Sequence, residues 1–481
     1  MLRDKDIKKI SELQTDFQAD RFDVETLMGI FQSMRLTRCF SLFSHFKQRG
    51  YGFNVVLSIL IVIVVMANKT VSSSLSWLTE HGTGIGKDVF YRIKNSESIC
   101  WRHILWRIAM TFIRQTEANG KDEDKESKKP RYLIFDDTTI EKSGKKMEFI
   151  GKVWDHVKQR CVLGFKVLVM MYWDGKSSIP LDFSIHREKG KKETHPYGMR
   201  KKELRRQYSK KRAKESESSI RVKELDKDKI TMMLKMLRLA VYHCLKIDYV
   251  LVDSWFTCEA LINAVIVHGI HLVGMYKIAK TKFLYQGRKL NYSEINSRIT
   301  KVKRCRSFGY HYKRADVIYG EDTRLTLFFS RRGKRGDWKV FLTTDTSLSY
   351  IKLIEHYQVR WTIEVFNKEA KGLLNLGGCQ SSNFDAQIAD TTISMIAYIL
   401  LAFRFRYDHY ESMGALFRAM NAECLRMTLD KRLWLLFIQT IRIIAEIFDV
   451  DADDLLQRIL THDDAENLVY LYSENCLKPT G

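Results

Sequence analysis

Apolar and polar positions in residues 357–371 (YQVRWTIEVFNKEAK) recur with the period of a helix. At about 100° per residue, Val359, Ile363, Phe366, Ala370, Leu373 and Leu374 gather on one side as a stripe fit to pack on a core. Tyr357, Arg360, Glu364 and Lys371 gather on the other side, within about 60° of arc. One helix is predicted, offering water a ring, a guanidinium, a carboxylate and an ammonium in a column. On an arbitrary helix, i,i+4 charge pairing would account for such a face.

Upstream, the texture between residues 131 and 275 is that of strands and helices in turn. YLIFDD is a short apolar run closing on two aspartates. VLGFKVLVMMYWDG and IPLDFSIH, joined through Asp174-Gly175, read as a β-hairpin. Residues 226–246 have helical periodicity, 248–252 form a strand running into Asp253, 260–268 a helix and 271–275 another strand. The order βββαβαβ predicts an α/β fold, a mixed sheet with helices on its faces. Residues 287–338 then alternate and are basic, which predicts a mostly β insertion, spanning about 276–345, within one core domain of residues 131–405. An apolar helix is predicted at 386–404.

Residues 1–125 read as helical, and 406–481 as a further helical region that includes 432–448. Residues 71–80 and 87–94 flank the Gly-bearing connection HGTGIG. They suit a helix-turn-helix reader presenting Lys87, Tyr91, Arg92 and Lys94, or an ordinary αα-hairpin. Residues 120–130 are charged, lack apolar side chains and read as a linker.

Charge adds the partner class. The 481 residues carry 80 Lys and Arg against 57 Asp and Glu, a net +23, which points to a polyanion and says nothing of fold. Residues 187–223 hold 15 of these cations against 5 acids, with Tyr197 and Tyr208 among them. Lys201, Lys202, Arg205 and Arg206 are the candidates there for phosphate contact through counterion release, the alternative being a solvated loop that orders only on DNA. Nine dispersed cysteines, with no C-x-x-C, fit reduced thiols of a cytoplasmic protein. The apolar run 55–67 is 13 residues long, short of the roughly 20 a spanning helix needs, so no membrane partner is expected.

The spacing Y-x2-R-x3-E-x6-K at Tyr357, Arg360, Glu364 and Lys371 resembles the Y-R-E-K signature of the type 4 group of bacterial insertion-sequence transposases, DDE enzymes with a ribonuclease-H-like core. The resemblance covers about 131–405. It implies metal-dependent cleavage of double-stranded DNA at insertion-sequence ends and strand transfer into target DNA. It also implies two Mg²⁺ ions, for which Mn²⁺ substitutes, and a homodimer on DNA paired through the C-terminal helices. Hard divalent ions take carboxylate oxygens, so three carboxylates must converge. The candidates are Asp136 or Asp137, Asp253 and Glu364. Asp136 and Asp137 each begin a D-x-T, and the choice stays open with a lean to Asp136. The resemblance gives Arg360 and Lys371 to phosphates, and Tyr357 to a phosphate or the terminal nucleotide. Trp338 is similar in context to the stacking Trp of relatives that excise through a DNA hairpin, with Trp361 a second candidate. Core packing is the plain alternative for both tryptophans. Three rival functions remain: a ribonuclease-H-like nuclease without strand transfer, an inactive DNA-binding repressor of transposition, and a basic membrane-surface protein.

Overall fold

The computed structural model describes residues 31, 34–47, 49–65, 70–74, 85–119, 129–278, 280–333, 336–407, 410–426 and 440–461. Helices α1 (Leu36–Ser41), α2 (Phe53–Val65), α3 (Lys87–Lys94) and α4 (Trp101–Asn119) come first. Strands β1 (Tyr132–Glu141), β2 (Gly151–Asp155), β3 (Arg160–Trp173) and β4 (Ser178–His186) follow, then α5 (Glu217–Glu224) and α6 (Lys229–Tyr242). Next come β5 (Tyr249–Val252), α7 (Glu259–Val267), β6 (His271–Tyr276), β7 (Phe283–Tyr285), β8 (Arg288–Leu290) and α8 (Tyr292–Arg298). The chain closes with β9 (Lys303–Cys305), β10 (Tyr310–Tyr319), β11 (Thr323–Arg332), β12 (Lys339–Thr343), α9 (Tyr350–Val359), α10 (Thr362–Leu373), α11 (Phe384–Tyr407), α12 (Met413–Arg426) and α13 (Ala452–Thr461).

All twelve strands join one mixed sheet. Strands β4, β3, β1, β5 and β6 lie side by side; β1, β5 and β6 are parallel, while β3 and β4 run antiparallel to their neighbours. This arrangement is consistent with the ribonuclease-H-like core implied by the resemblance. The Asp174 carboxylate accepts the N–H groups of Lys176 and Ser177 at the β3–β4 turn, where Gly175 takes a φ of +102° that side chains rarely adopt. The alternating segment after β6 returns through β12, which pairs antiparallel with β6. Its strands therefore continue the same sheet rather than closing on themselves.

The core centres on α11, 24 residues long, packed against α4, α2 and β4. It is long and apolar enough to cross a membrane, yet 94% of its most apolar window is buried in protein. Phe112 of α4 meets Phe403 edge-on, and Phe366 of α10 meets Tyr398 the same way. The predicted stripe of Ile363, Phe366 and Ala370 is buried.

Three expectations change here. The predicted βββαβαβ order gains a short strand before β5, because Gly151–Asp155 pairs with β3, and a helix, Glu217–Glu224, ahead of α6. The predicted single helix over 357–371 is two, broken at Arg360–Trp361. Both residues keep right-handed helical angles, but the N–H groups of Arg360 and Trp361 bond three residues back, to Tyr357 and Gln358. Such i→i+3 bonds tighten the turn and kink the axis. Strand β1 also does not stop at its aspartates but runs on to Glu141 along β3. Of the suggested helix-turn-helix, α3 is present, with Phe90 and Ile93 buried and Lys94 paired to Asp390 of α11 at 2.7 Å. Residues 75–84, 120–128 and 427–439, on which parts of the hairpin, linker and C-terminal readings fall, lie outside the described residues.

Candidate active site

The parallel register of β1 and β5 pairs Ile134 with Leu251. Continued two residues past that pairing, the register brings Asp136 level with Asp253, whose charge acts on the Asp136 carboxyl. β5 ends at Val252, so Asp253 tops its strand where ligand crevices form in open α/β sheets. The Asp253 Oδ1 accepts the N–H groups of Trp255 and Phe256, which fixes the carboxylate at the head of the turn.

Arg360 ties the third carboxylate to this pair. Its Nη1 donates to Asp136 Oδ2 at 3.2 Å and its Nη2 to Glu364 Oε1 at 2.5 Å. The kink between α9 and α10 places Arg360 one turn before Glu364 and over the Tyr357 ring, 5.6 Å from its centre. Arg360 thus joins Asp136 to Glu364, 228 residues apart in the chain (364 − 136), and Asp253 lies near enough for its charge to act on the Asp136 carboxyl. Burial pushes the Asp136 carboxyl up to about 7 despite Arg360, with the Asp253 and Asp137 charges adding to the rise. Burial likewise pushes the Tyr357 phenol up to about 12, against the pull of Arg360.

Asp137 goes elsewhere. Successive strand residues point to opposite faces, and Asp137 meets Lys229 Nζ at 3.0 Å and Lys166 Nζ at 3.4 Å. These two ammonium groups hold its carboxyl below the usual range in spite of burial. Lys371 sits on the Asp136 side, donating to Thr138 Oγ1 at 2.6 Å and to the Thr139 carbonyl at 2.9 Å. Burial lowers its pKa.

Trp361, at the kink, is 62% exposed. Trp338 is held between cations, 4.4 Å from the Arg331 guanidinium and 4.9 Å from Lys313 Nζ. Lys201, Lys202, Arg205 and Arg206 are all exposed. Other charges of the basic stretch are not surface contacts. Arg212 is buried against Glu148 and Asp385, and Arg221 against Glu224. The sequence reading missed Trp255, two residues past Asp253, 55% exposed with Lys229 Nζ 4.9 Å from its ring centre. The D-S-W-F run was the available signal.

Among the described residues, no three His, Cys, Asp or Glu side chains are already arranged as a metal cage. Arg360 lies where a cation would bridge Asp136 and Glu364. The donor set nevertheless suits a hard divalent ion: a carboxyl raised by burial, and two more that each have an oxygen without a hydrogen bond among the described residues. A testable consequence follows from the Asp136 shift. The unfolded carboxyl ionises near 3.8 and the folded one near 7, so the stability this group contributes is full below about 3.8 and is lost as pH rises through about 7. Asp136→Asn removes that dependence. In thermal melts without metal, the wild type should lose ground to Asp136→Asn between pH 4 and about 7.5. Mg²⁺ should stabilise the wild type more at pH 8 than at pH 6, because binding there need not displace a proton. A wild-type/variant difference constant with pH would refute the shift.

The chain is an α/β protein whose mixed sheet carries Asp136 within β1 and Asp253 just past β5, with Arg360 and Glu364 at the break between α9 and α10. Residues 223–400 match the family model described as "Transposase DDE domain". The match includes Asp253 and the Tyr357–Lys371 signature and begins after Asp136. Over those 178 of the 481 residues the chain is similar to the DDE transposase domain. No curated protein matches the chain.

Proposed function

We propose that the protein is a transposase of the type 4, Y-R-E-K group, which cuts DNA at insertion-sequence ends and joins the freed 3′ end to target DNA. The observation that carries the reading is the joining of Asp136 to Glu364 through Arg360, with the Asp253 charge acting on the Asp136 carboxyl. Those three carboxylates would hold two Mg²⁺ or Mn²⁺ ions. Metal held there would supply Lewis acidity for the attacking hydroxyl and the leaving 3′ oxygen.

The chain's own groups do the rest. Arg360 trades its carboxylate partners for a DNA phosphate; its Nε, buried without an acceptor, marks a guanidinium whose donors are not all satisfied here. Lys371 supplies a second cation at Thr138 for the phosphate beyond the cut. Tyr357 flanks the same crevice. The exposed faces of Trp361 and Trp255, and Trp338 in the insertion, offer stacking surfaces for a displaced base. The free cations at Lys201, Lys202, Arg205 and Arg206 follow the backbone. Two copies would pair two ends, in the cytoplasm of a bacterium, with the N-terminal helical region adding DNA contacts.

The test is incubation with the gene's own flanking inverted repeats and Mg²⁺. The wild type should nick at the end and join the 3′-OH to a target duplex. Glu364→Gln should lower both by about 10³-fold, the scale of losing one group that stabilises developing charge, while duplex binding persists. Undiminished nicking in Glu364→Gln would sink the assignment. Nicking without joining would favour the nuclease reading; a wild type that binds DNA and never cuts would favour the repressor.

A further inference from the structure

A second basic feature lies away from the carboxylates. Helix α4 carries Arg107 and Arg114 on one exposed face, and the opposite wall carries Arg35 and Arg38 at the start of α1. Between them runs a groove of about 800 Å³, floored by Phe403 and Tyr407 at the end of α11, with no acidic side chain in its lining. None of the four guanidiniums has an ion-pair partner among the described residues; elsewhere in this protein arginines such as Arg102, Arg212 and Arg406 are paired with acids. Four unpaired arginines around one concavity repel one another unless something anionic enters.

The groove belongs to the far end of the sheet. Glu117 of α4 pairs with Arg131, which leads into β1, and Arg406 of α11 pairs with Asp174 at the β3–β4 turn. That turn flanks Trp173, the partner of Tyr132 at the first residue of β1. Asp136 is four residues further up the strand, about 13 Å on. An anion in the groove is therefore not the phosphate at the carboxylates. Arg107 and Arg114 are seven residues apart, about 10.5 Å along the helix, close to three base-pair steps of about 3.4 Å along the axis of a DNA duplex. The concave shape admits a rod-like backbone; a flat bilayer surface cannot enter it.

We infer that this groove binds the phosphate backbone of duplex DNA at a segment apart from the one being cut. This rests on DNA being the substrate, as proposed above. The test uses the full chain carrying Glu364→Gln, without metal. Binding is followed by anisotropy across a salt titration, on a short duplex covering only the cleavage site and on a long one reaching the groove. On the long duplex, Arg107→Gln/Arg114→Gln should make the slope of log affinity against log salt shallower by about 1.8, the release of two phosphate contacts. On the short duplex the slope should not change. Arg107→Lys/Arg114→Lys should keep the slope on both. Both positions are exposed, so the folded state should tolerate the changes; should the double variant fail to fold, Arg114→Gln alone should give about half the effect. An unchanged slope on the long duplex, or an equal loss on the short one, overturns the inference and leaves the active-site reading intact. Failure of the parent protein to bind duplex at all overturns both. Binding to anionic phosphatidylserine vesicles that is tighter than to duplex and depends on Arg107 and Arg114 overturns it in favour of a membrane.

Discussion

Asp136→Asn should abolish strand cleavage, by at least about 10³-fold, and leave a folded protein that still binds DNA. Asp137→Asn should do the converse: cleavage persists in whatever fraction is folded, and stability falls by about 3 kcal/mol. The two residues are adjacent, so the contrast tests geometry rather than composition. Asp136 faces Arg360, beside Asp253, and its carboxyl is already strained toward the neutral form by burial. Replacing it with an amide keeps the shape and removes a negative charge that the site keeps only with a cation's help. Asp137 faces the other way and neutralises Lys166, whose side chain is only 3% exposed, together with Lys229. Removing that carboxylate strands a buried ammonium. Nicking assays and urea unfolding on both variants decide the matter. An inactive Asp137→Asn of wild-type stability, with an active Asp136→Asn, would exchange the assignments.

Arg212→Met should cost about 3–5 kcal/mol of unfolding free energy, although Arg212 lies in the stretch whose charge first suggests a DNA contact. Its guanidinium grips both Glu148 oxygens, at 2.6 and 2.8 Å, and reaches Asp385 Oδ1 at 3.0 Å. Both carboxylates are buried, and Lys210 also donates to Asp385. This clasp fastens the basic stretch to the loop after β1 and to the first turn of α11. Met fills the volume but leaves Glu148 without its counter-charge. Adding Glu148→Gln removes that charge and should restore part of the loss, a coupling of about 0.5–3 kcal/mol in a double-mutant cycle. A neutral Arg212→Met in urea unfolding would show the clasp to be incidental. Substituting the exposed Lys201 or Arg205 should leave stability untouched.

These two cases mark where reading by residue type stopped. Asp136 and Asp137 each begin the same D-x-T, and only the side of β1 from which each projects tells them apart. In residues 187–223, Arg212 and Arg206 look alike in sequence; one is buried against two acids and the other is exposed. Trp255 went unnoticed because a ring after a strand looks like core until its exposure is seen. The signature helix was expected unbroken because αR angles at Arg360 and Trp361 preserve the periodicity across the kink.

What the sequence by itself determined is local and periodic: the buried stripe of α10, the succession of α6, β5, α7 and β6, the β-hairpin at Asp174-Gly175, the strand leading to Asp253 and the spacing of Tyr357, Arg360, Glu364 and Lys371. Each depends on residues within one or two turns of each other, where periods of 3.6 and 2 fix which side chains share a face. What only the tertiary structure decided is which of those faces meet. The pairing of β1 with β5 brought Asp136 and Asp253 to the same end of the sheet, and the packing of α10 against β1 brought Arg360 between Asp136 and Glu364. The pairing of acid with base in the interior then separated charges that hold the fold from charges left exposed, because a buried charge must find a partner and an exposed one need not.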